Sequence, residues 1–431
     1  MGSGRGRFVS LMALLLPAIC VSPAAEASCS DGGAAIFNFG DSNSDTGGLS
    51  AGLGYIFPLP HGRVFFNRSN GRVCDGRLTL DFLCESLKMS YLSPYLESLD
   101  PDFRNGANFA VIGSATQPRN QPFSLFIQVL QFFRFRSRSL ELNAQGSKKF
   151  LNEEGFKKAL YMIDIGQNDL SGAFGSNSNY DQAIAKIPSI IAEIKNAIEL
   201  LHDTGSRNFW IHSTGPLGCL PEKLSLTPKN SSSLDAYGCL SSLNNGAKEF
   251  NSQLNGLCEE LRSEFKDSTI VYTDIYSIKY DLIANSAKIS EPSDGLLWPR
   301  GPPYNFDANI GCGNPACQVC SENTKYISWD GVHYTEAANT IVASKILSAQ
   351  YSNPKLKPLA WGGECSMGLS LASPCRDPVG VLFHCSTRPI DYRGPGVSAS
   401  PGAPLAPHFA SPYPGESGKL YDTCSSDSPE A

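Results

Sequence analysis

The sequence predicts an α/β protein in which a parallel β-sheet is covered by helices on both faces. Two observations lead to this fold class: short apolar runs bounded by Gly, Asn, Asp or Pro, and longer segments with apolar residues at helical spacing. Because the two kinds of segment alternate along the chain, the strands are expected to run parallel. Ligands of such sheets gather at the carboxyl ends of the strands, so chemistry is expected there.

Each predicted element rests on its own stretch of sequence. The strands are AAIFNF at 34–39, ALYMIDI at 159–165, NFWIH at 208–212 and TIVY at 269–272, each followed by turn-forming residues. The helices are predicted at 77–87, 180–202 and 240–265, where leucine, isoleucine and phenylalanine recur three or four residues apart.

The composition allows a large hydrophobic core and argues against a nucleic-acid partner. Of the 431 residues 41% are hydrophobic and 18% are charged, which suits one domain, although a chain of this length could also form two. The formal net charge is -6, and no cluster of Lys and Arg stands out. Binding to nucleic acid normally needs a basic surface, so it is not expected here.

The first 27 residues predict an export signal. Arg5 and Arg7 precede an apolar stretch at 8–21, and Ala25 and Ala27 fit a cleavage site that would leave a mature chain starting at residue 28. The stretch is too short, and too interrupted by Pro17, for a membrane span, and no later run is long enough for an integral span. We therefore expect a secreted, extracellular protein, for which the cell wall is a candidate location.

Export determines how the cysteines and sequons are interpreted. Removal of Cys20 with the signal leaves 13 of the 14 cysteines, an odd number, so at least one has no partner within the chain. A loop disulfide or a zinc site could use Cys312, Cys317 and Cys320; the disulfide is favoured because no nearby histidine completes a set of four ligands. Asn67 and Asn230 begin glycosylation sequons on predicted surface loops.

Two short segments carry the residues of a serine hydrolase. Ser42 lies in FGDSNSDTG at 39–47, directly after the first predicted strand, where a nucleophile would be exposed on a tight turn. The second segment, WDGVHY at 329–334, places Asp330 three residues before His333, a spacing that lets the carboxylate orient the imidazole. If the two segments meet, Ser42, His333 and Asp330 form a catalytic triad.

Six sequence blocks also carry a family resemblance. The chain resembles plant secreted GDSL-type esterases/lipases of the SGNH hydrolase superfamily over about residues 30 to 350. The blocks are FGDSNSDTG, GRVCDGRLTLDFLCESL at 71–87, GANFAVIGSAT at 106–116, IGQNDL at 165–170, TGPLGCLP at 214–221 and SWDGVHYTEAAN at 328–339. The resemblance implies a three-layer α/β/α, flavodoxin-like sandwich around a parallel sheet of about five strands. It also implies ester hydrolysis without a metal or an organic cofactor.

The resemblance implies a role for each matching residue. Ser42 would be the nucleophile, His333 the general base and Asp330 the residue that orients it. Ser42 and Gly113, through their backbone N–H groups, and Asn168, through its side-chain amide, would form the oxyanion hole. Structural interpretations remain beside these: Ser42 as a turn or cap residue, Asn168 as a helix cap, and Gly113 as a residue required by the backbone.

Several residues near the motifs have structural explanations as well. His212 follows the strand at 208–212 and could replace His333 as the base, but it has no acidic residue at short spacing, so a structural hydrogen bond is favoured. The charged residues Arg72, Asp75 and Arg77 are predicted to form buried or loop-fixing ion pairs rather than to contact substrate.

Two segments depart from the family pattern. The run at 290–300 lacks the Gly-rich, cysteine-containing sequence usual before Pro303, which could impair the site. The hydrolase domain, predicted at 28–354, is followed by an atypical tail at 355–431 that is rich in Pro, Gly, Ser and Ala around 394–418. That composition predicts a largely disordered tail.

Three functions remain open at this point. The complete set of motif residues favours a secreted carboxylic-ester hydrolase that acts on an acetylated glycan, an acylated metabolite or a lipid. The altered run at 290–300 keeps open a catalytically impaired member that binds an ester or a glycan. A structural cell-wall interaction protein is the third alternative. The expected partner is a small-molecule or polysaccharide ester substrate.

Overall fold

A single mixed sheet forms the centre of the protein. The computed structural model describes residues 35–118, 122–175, 179–227, 233–286, 306, 311–312 and 326–355. The strands are β1 (Ile36–Gly40), β2 (Gly106–Asn108), β3 (Leu160–Asp164), β4 (Asn208–His212), β5 (Thr269–Thr273) and β6 (Ser352–Asn353). Their order is β2-β1-β3-β4-β5-β6; the first five pair in parallel and β6 pairs antiparallel with β5. The expected parallel sheet of about five strands is confirmed, with a two-residue antiparallel strand added at one edge.

All four predicted strands are present, with ends that differ by at most two residues. The strands β2 and β6 were not predicted, because three and two residues are too few to show an alternating pattern. The register places equivalent positions side by side: Gly40 pairs with Asp164, and Asp164 with His212. The carboxyl ends of β1, β3 and β4 therefore meet at one edge, where the loops that follow them carry polar residues.

Eleven α-helices and one 3-10 turn are seen in the described residues. They are α1 (Gly48–Leu53), α2 (Thr79–Ser86), α3 (Leu125–Ala144), α4 (Glu153–Lys158), α5 (Gln167–Ala173), α6 (Tyr180–Ile184), α7 (Ile187–Asp203), α8 (Pro221–Leu226), α9 (Ser241–Glu264), α10 (Ile275–Ser286) and α11 (Glu336–Leu347), with the 3-10 turn at Leu217–Cys219.

The helix predictions at 77–87 and 240–265 are confirmed as α2 and α9, whereas the single helix predicted at 180–202 is wrong. That segment forms α6 and α7, and Pro188 lies in the first turn of α7. A proline has no N–H to continue the preceding helix but fits a first turn, so the break falls just before it. The 20-residue helix α3 was missed, because its many phenylalanines resemble those of a strand.

Alternate strand residues face two different helical layers. On one side Phe37, Tyr161 and Phe209 are buried in a core shared with α3, α7 and α9. On the other side Ile36, Leu160 and Trp210 pack with the apolar residues of α2, α10 and α11. Because successive side chains of a strand point to opposite faces, this partition shows the three-layer α/β/α arrangement.

Several predictions fall outside the described residues. These are the export signal at 1–27, the sequon at Asn230, the run at 290–300, Cys317, Cys320 and the tail after 355. Asn67, in the other sequon, is exposed on a loop. Among the helices that the structure describes, none is both long and apolar enough to cross a membrane.

Candidate active site

The loop after β1 carries the predicted nucleophile Ser42, which is buried with 7% of its surface exposed. The end of β1 is held by Gln128 of α3. Its side-chain Oε1 accepts a hydrogen bond from the N–H of Gly40 (2.9 Å), and its Nε2 donates to the carbonyl of Gly40 (2.8 Å). Two hydrogen bonds from one amide fix the residue where the strand ends, and therefore fix where Ser42 leaves the sheet.

A second loop carries the predicted oxyanion-hole residue Gly113. Its φ of 80° is in the left-handed region that favours glycine. The buried carboxylate of Asp45 connects this loop to the Ser42 loop, since its Oδ2 accepts from the N–H of Ile112 (2.8 Å). The same carboxylate accepts from the N–H groups of Gly47 (2.7 Å) and Leu49 (3.1 Å) at the start of α1. One side chain thus fixes both loops relative to each other.

The third predicted oxyanion-hole residue, Asn168, lies in the first turn of α5, directly after β3. Its Nδ2 donates to the carbonyl oxygen of Ser114 (2.8 Å) and, in a longer contact, to Oδ2 of Asp41 (3.4 Å). The amide therefore lies between the Gly113 loop and the Ser42 loop. Thr116 is hydrogen-bonded to the carboxylate of Asp169 through both its N–H (3.1 Å) and its hydroxyl (2.8 Å), which holds the same loop against α5.

Asp330 and His333 form the close pair that their spacing predicts. His333 Nδ1 lies 2.5 Å from Asp330 Oδ2, and the other carboxylate oxygen accepts from the N–H groups of Val332 (2.9 Å) and His333 (2.7 Å). Gly331, with a φ of 96°, allows the tight turn between them. The imidazole is 4% exposed, so it is held by its own segment and largely shielded from water.

The charges around this pair shift three pKa values. Burial alone would lower the pKa of His333, but the charge and hydrogen bond of Asp330 and the charge of Asp41 raise it overall. Burial opposes ionisation of Asp330, yet the contact with His333 and the two N–H groups lower its pKa. The pKa of Asp41 is raised to about 7 by burial and by the charge of Asp164. The charges of Asp41 and His333 also affect each other's pKa, so the protonation of the two groups is linked.

Two of the three predicted oxyanion donors, the N–H groups of Ser42 and Gly113, have no acceptor among the described residues. No hydrogen bond joins Ser42 Oγ to His333 Nε2 in this part of the chain either. In a free enzyme the contact between nucleophile and base is often too long for a hydrogen bond and shortens in the complex with substrate. The missing hydrogen bond is therefore compatible with Ser42 as nucleophile and His333 as base.

Comparison with known proteins identifies the family. The family described as GDSL-like lipase/acylhydrolase matches residues 36–346. The chain belongs to this family. It is 54% identical to the GDSL esterase/lipase LIP-4 of Arabidopsis thaliana over 353 residues, which cover 80% of this chain and 94% of that protein. Membership makes the protein an ester hydrolase by class, as the sequence predicts.

Two further matches complete the comparison. Alpha-L-fucosidase 3 of Arabidopsis thaliana is 42% identical over 335 residues, 72% of this chain and 89% of that protein. Among solved structures, phospholipase A1 from Streptomyces albidoflavus NA297 matches 75% of this chain and 100% of its own, with 14% identity and a TM-score of 0.35.

The other histidines near the site of this GDSL hydrolase have different surroundings. His212, at the end of β4, is buried, and its Nε2 has no hydrogen-bond partner among the described residues, so the hydrogen bond expected for it is not seen at that atom. His61 lies in a turn, where the centre of its ring is 5.7 Å from that of Trp329, and burial lowers its pKa. Among the residues that the structure describes, neither ring is hydrogen-bonded to an aspartate as His333 is.

The ion pairs predicted for Arg72 and Arg77 are present, whereas the one predicted for Asp75 is not seen among the described residues, where this carboxylate accepts a backbone hydrogen bond. Arg72 forms a buried pair with Asp81 (2.7 Å), and Arg77 pairs with Glu336 (2.8 Å) at the start of α11, three residues after His333. The N–H of Glu336 also donates to Asp75 (2.7 Å). These contacts join the loop at 72–77 to the His333 segment. Their role is positional, as expected from the sequence.

A serine in a second hydrolase-like pattern is excluded by its location. The sequence from Gly48 to Gly52 spells Gly-x-Ser-x-Gly, the pattern of a nucleophile on a sharp strand-to-helix turn. Here Ser50 lies within α1, and β1 ends well before it, at Gly40. The pattern therefore lacks the strand that would present its serine.

An apolar cavity of about 260 Å³ lies beside His333. Among the described residues it is lined by Leu220, Leu224, Ile283, Ile327 and Val332, together with the disulfide between Cys219 and Cys239. This disulfide was not predicted from the sequence. The loop disulfide that was predicted involves Cys312, Cys317 and Cys320. The cavity places apolar surface next to the predicted base, as an acyl substrate would require.

Two polar residues of the site were not singled out from the sequence. Gln128 was hidden in a helix that was not predicted. Lys279 of α10 is 8% exposed and lies near the Ser42 loop, where its Nζ is 3.4 Å from Asn43 Oδ1. The sequence could have indicated Lys279, because this residue lies four positions from both Ile275 and Ile283. It therefore falls on the apolar stripe of a helix, where a lysine is unusual.

Proposed function

We propose that the chain is a secreted serine ester hydrolase in which Ser42, His333 and Asp330 form the catalytic triad. The observation that carries this proposal is the set of three hydrogen bonds between Asp330 and the segment 332–333. A carboxylate on Nδ1 favours the tautomer with the proton on that nitrogen, which leaves the lone pair of Nε2 to accept the proton of a serine.

The proposed reaction proceeds through an acyl-enzyme. Ser42 Oγ attacks the carbonyl carbon of the ester while its proton moves to His333 Nε2. The tetrahedral intermediate then expels the alcohol, which takes the proton from His333, and leaves the acyl group on Ser42. A water molecule, deprotonated by His333, attacks the acyl carbon and releases the acid and the free serine. Asp330 stabilises the imidazolium in both steps and remains ionised.

The oxyanion of the intermediate would be bound by Ser42, Gly113 and Asn168. The two backbone N–H groups have no acceptor among the described residues, which supports this role. The amide of Asn168 already lies between the two loops, and its contact with Asp41 is long (3.4 Å), so a developing negative charge can replace it. Donors that are in place before the reaction need no reorganisation during it.

The apolar cavity supports an acyl ester with a short or medium chain. Ligand pockets are commonly about 300–1,000 Å³, and a cavity of about 260 Å³ lies just below that range. The acyl chain would occupy the cavity while its carbonyl carbon faces Ser42. An acetylated glycan, an acylated metabolite and a lipid all remain candidate substrates, and the alcohol part is left open.

Secretion is part of the proposal. It is supported by the Cys219–Cys239 disulfide, because disulfides persist mainly in oxidising compartments, and by the exposed position of the sequon residue Asn67. Expression with a eukaryotic secretion pathway, followed by mass spectrometry, should find a mature chain that starts at residue 28 and carries a glycan on Asn67. Recovery of the protein inside the cell, with residues 1–27 still attached, would contradict secretion.

Glycoside hydrolysis is the activity to exclude, because one relative is named an α-L-fucosidase. Glycosidases use two carboxyl groups on opposite sides of the scissile bond. Here both oxygens of Asp330 are engaged with its own segment, which favours a role in orienting His333. A p-nitrophenyl fucoside assayed beside p-nitrophenyl acetate and butyrate distinguishes the two activities.

The decisive experiment replaces two serines. Ser42→Ala should abolish ester turnover without loss of melting temperature, because the hydroxyl is needed for the acyl-enzyme. Ser50→Ala, in the Gly-x-Ser-x-Gly pattern on α1, is the matched control and should retain activity. A fluorophosphonate probe should label the wild type at Ser42. Activity that survives in Ser42→Ala, or a label on Ser50, would contradict the assignment, and an inactive, unlabelled wild type would favour a binding protein without turnover.

A further inference from the structure

Lys279 is a buried cation within the active-site region. It lies on the stripe of α10 that also carries Ile275 and Ile283, and 8% of its surface is exposed. Burying an ammonium group costs free energy unless other groups compensate for the lost water. The residues that compensate should therefore reveal what the lysine does.

No carboxylate lies within ion-pair distance of Lys279 among the described residues. Its Nζ instead donates to Asn43 Oδ1 (3.4 Å) and lies 4.4 Å from the centre of the Tyr334 ring, a cation–π contact. Asn43 directly follows Ser42, and Tyr334 directly follows His333. One ammonium group thus contacts the neighbours of both the proposed nucleophile and the proposed base.

The contact with Asn43 continues to the proposed oxyanion hole. Asn43 Nδ2 donates to Asp41 Oδ1 (2.8 Å), and Asp41 Oδ2 accepts from Asn168 Nδ2 (3.4 Å). A chain of hydrogen bonds therefore runs from Lys279 through the Ser42 loop to Asn168. Removing the ammonium at one end would free Asn43 to turn and would loosen the loop that presents Ser42.

The charges that surround Lys279 are those of the site. Asp41 and Asp164 attract the ammonium group, and His212 and His333 also lie within its electrostatic reach. Burial lowers the pKa of Lys279, and the two carboxylates oppose that change. The positive charge in turn disfavours protonation of His333. A lysine at this point therefore acts on both the geometry and the protonation of the base.

We propose that Lys279 is a positioning residue for ester hydrolysis: its ammonium group holds the Ser42 loop and the His333 segment at their working separation through Asn43 and Tyr334. The proposal rests on the triad proposed above. The hydrogen bond and the cation–π contact that the ammonium group of Lys279 makes with described residues both go to these two segments, which distinguishes the proposal from a role in core packing alone.

The test compares Lys279→Met, which keeps the length and packing of the side chain, with Lys279→Arg, which keeps the charge. Lys279→Met should lower kcat about 10- to 100-fold on p-nitrophenyl butyrate with little change in KM, since small displacements of reacting groups have effects of that order. The acid limb of its kcat/KM profile should move to higher pH, because the cation no longer disfavours protonation of His333.

Lys279→Arg should lose kcat but retain the wild-type pH midpoint, since a planar guanidinium cannot occupy the place of a compact ammonium. Lys345→Met, on the exposed face of α11, is the control and should match the wild type. An NMR titration of the His333 ring provides a readout without turnover: its midpoint should rise in Lys279→Met.

The outcomes separate this inference from the proposed function. A wild type that turns over esters while Lys279→Met keeps its kcat and both midpoints would overturn the role of Lys279 alone. A wild type without turnover or probe labelling would overturn the proposed function. If Lys279→Met does not fold, Lys279→Gln is measured in its place, and failure of both neutral variants to fold would show that the lysine serves the core, contrary to the proposal.

Discussion

The His333 imidazole shows how single residues determine the chemistry of the site. Its burial would favour the neutral ring, yet the contact with Asp330 reverses the direction of the pKa shift. A raised pKa means that the charged pair stabilises the folded state below the unfolded value of 6.5, and that this stability is lost as pH rises through the folded pKa. The lowered pKa of Asp330 adds stability that is lost when pH falls through it.

The same shift predicts the pH dependence of activity. Only the neutral ring can accept the proton of Ser42, so the acid limb of kcat/KM should have its midpoint above 6.5. Asp330→Asn should move that limb to lower pH and reduce kcat on the order of 100-fold or more, because the ring loses its fixed tautomer. Initial rates between pH 5 and about 9 measure both effects.

The acid limb also contains a contribution from Asp41, whose pKa is raised to about 7, so its midpoint belongs to Asp41 and His333 together. An unmoved limb in Asp330→Asn would show that the limb does not report the titration of His333.

Asn168 offers a second prediction at this scale. Asn168→Ala should lower kcat about 100- to 1,000-fold, equivalent to about 2.7–4 kcal/mol, because one donor to the oxyanion is lost. KM should change little, since the ground-state carbonyl carries less negative charge. Gln253→Ala on α9 is a control for loss of a helical amide. If Asn168→Ala lowers the melting temperature and loses activity only as far as the loss of folded protein explains, the helix-capping role of Asn168 is favoured instead.

At the scale of elements, the site is assembled from loops that follow different strands. The Ser42 loop follows β1, Asn168 follows β3, and the Gly113 loop follows β2. Two side chains hold these loops in place: Gln128 of α3 binds the end of β1, and Asp45 of the Ser42 loop accepts a hydrogen bond from Ile112 in the Gly113 loop. The rigidity of the site therefore depends on residues that touch no substrate.

Asp45→Asn tests this coupling. The amide places an N–H where the carboxylate accepted several backbone N–H groups, so at least one buried donor loses its acceptor, at a cost of about 1–3 kcal/mol. Both the melting temperature and kcat should fall, because the Ile112 and Gly113 segment is released from the Ser42 loop. Asp102→Asn, on an exposed loop, should change neither quantity. A loss of stability with unchanged kcat would mean that the coupling does not reach the site.

The cavity beside His333 predicts the length of the acyl chain. Leu224→Phe, on α8, adds a larger side chain to its wall and should move the preference among p-nitrophenyl esters from butyrate or hexanoate toward acetate. Acetate turnover should be retained, since the catalytic residues are unchanged. The measurement is kcat/KM along the acyl series. Loss of all esters in equal proportion would show that the acyl chain binds elsewhere.

At the scale of the whole molecule, the described fold ends close to the end of the family match. The last strand, β6, ends at Asn353, and the match ends at residue 346. Arg262 of α9 donates to the carbonyl of Asn353, which ties this final strand to the helical layer. All the described elements of the sheet therefore lie before residue 355.

Truncation tests whether the fold needs the remaining residues. A chain that ends at Lys355 should melt within about 4 °C of the full chain, because a change of about 1 kcal/mol shifts the melting temperature by about 2–4 °C in domains of roughly 150–250 residues and by less in larger ones. Its ester turnover should also be unchanged. Differential scanning calorimetry of the two proteins gives the comparison. A much larger fall in melting temperature would show that the tail packs on the domain and that its predicted disorder is wrong.

Strongly patterned segments were predicted well, and context-dependent ones were not. The four long strands and helices α2 and α9 follow from apolar residues at fixed spacing, because burial of one face imposes that spacing. The strand β2 spans only Gly106–Asn108, and its pairing with β1 depends on residues about 70 positions away. The break between α6 and α7 depends on Pro188, whose effect competes with an otherwise continuous apolar pattern.

The sequence by itself determined the α/β class, the family and the Asp330–His333 pair, because each depends on residues that are close together or on motifs that can be compared directly. Only the tertiary structure placed Gln128 and Lys279 beside the Ser42 loop, joined Asp45 of that loop to Ile112 and paired Cys219 with Cys239. The reason is physical: buried polar groups and thiols find partners through the packing of distant elements, and local spacing carries no record of which element will be near.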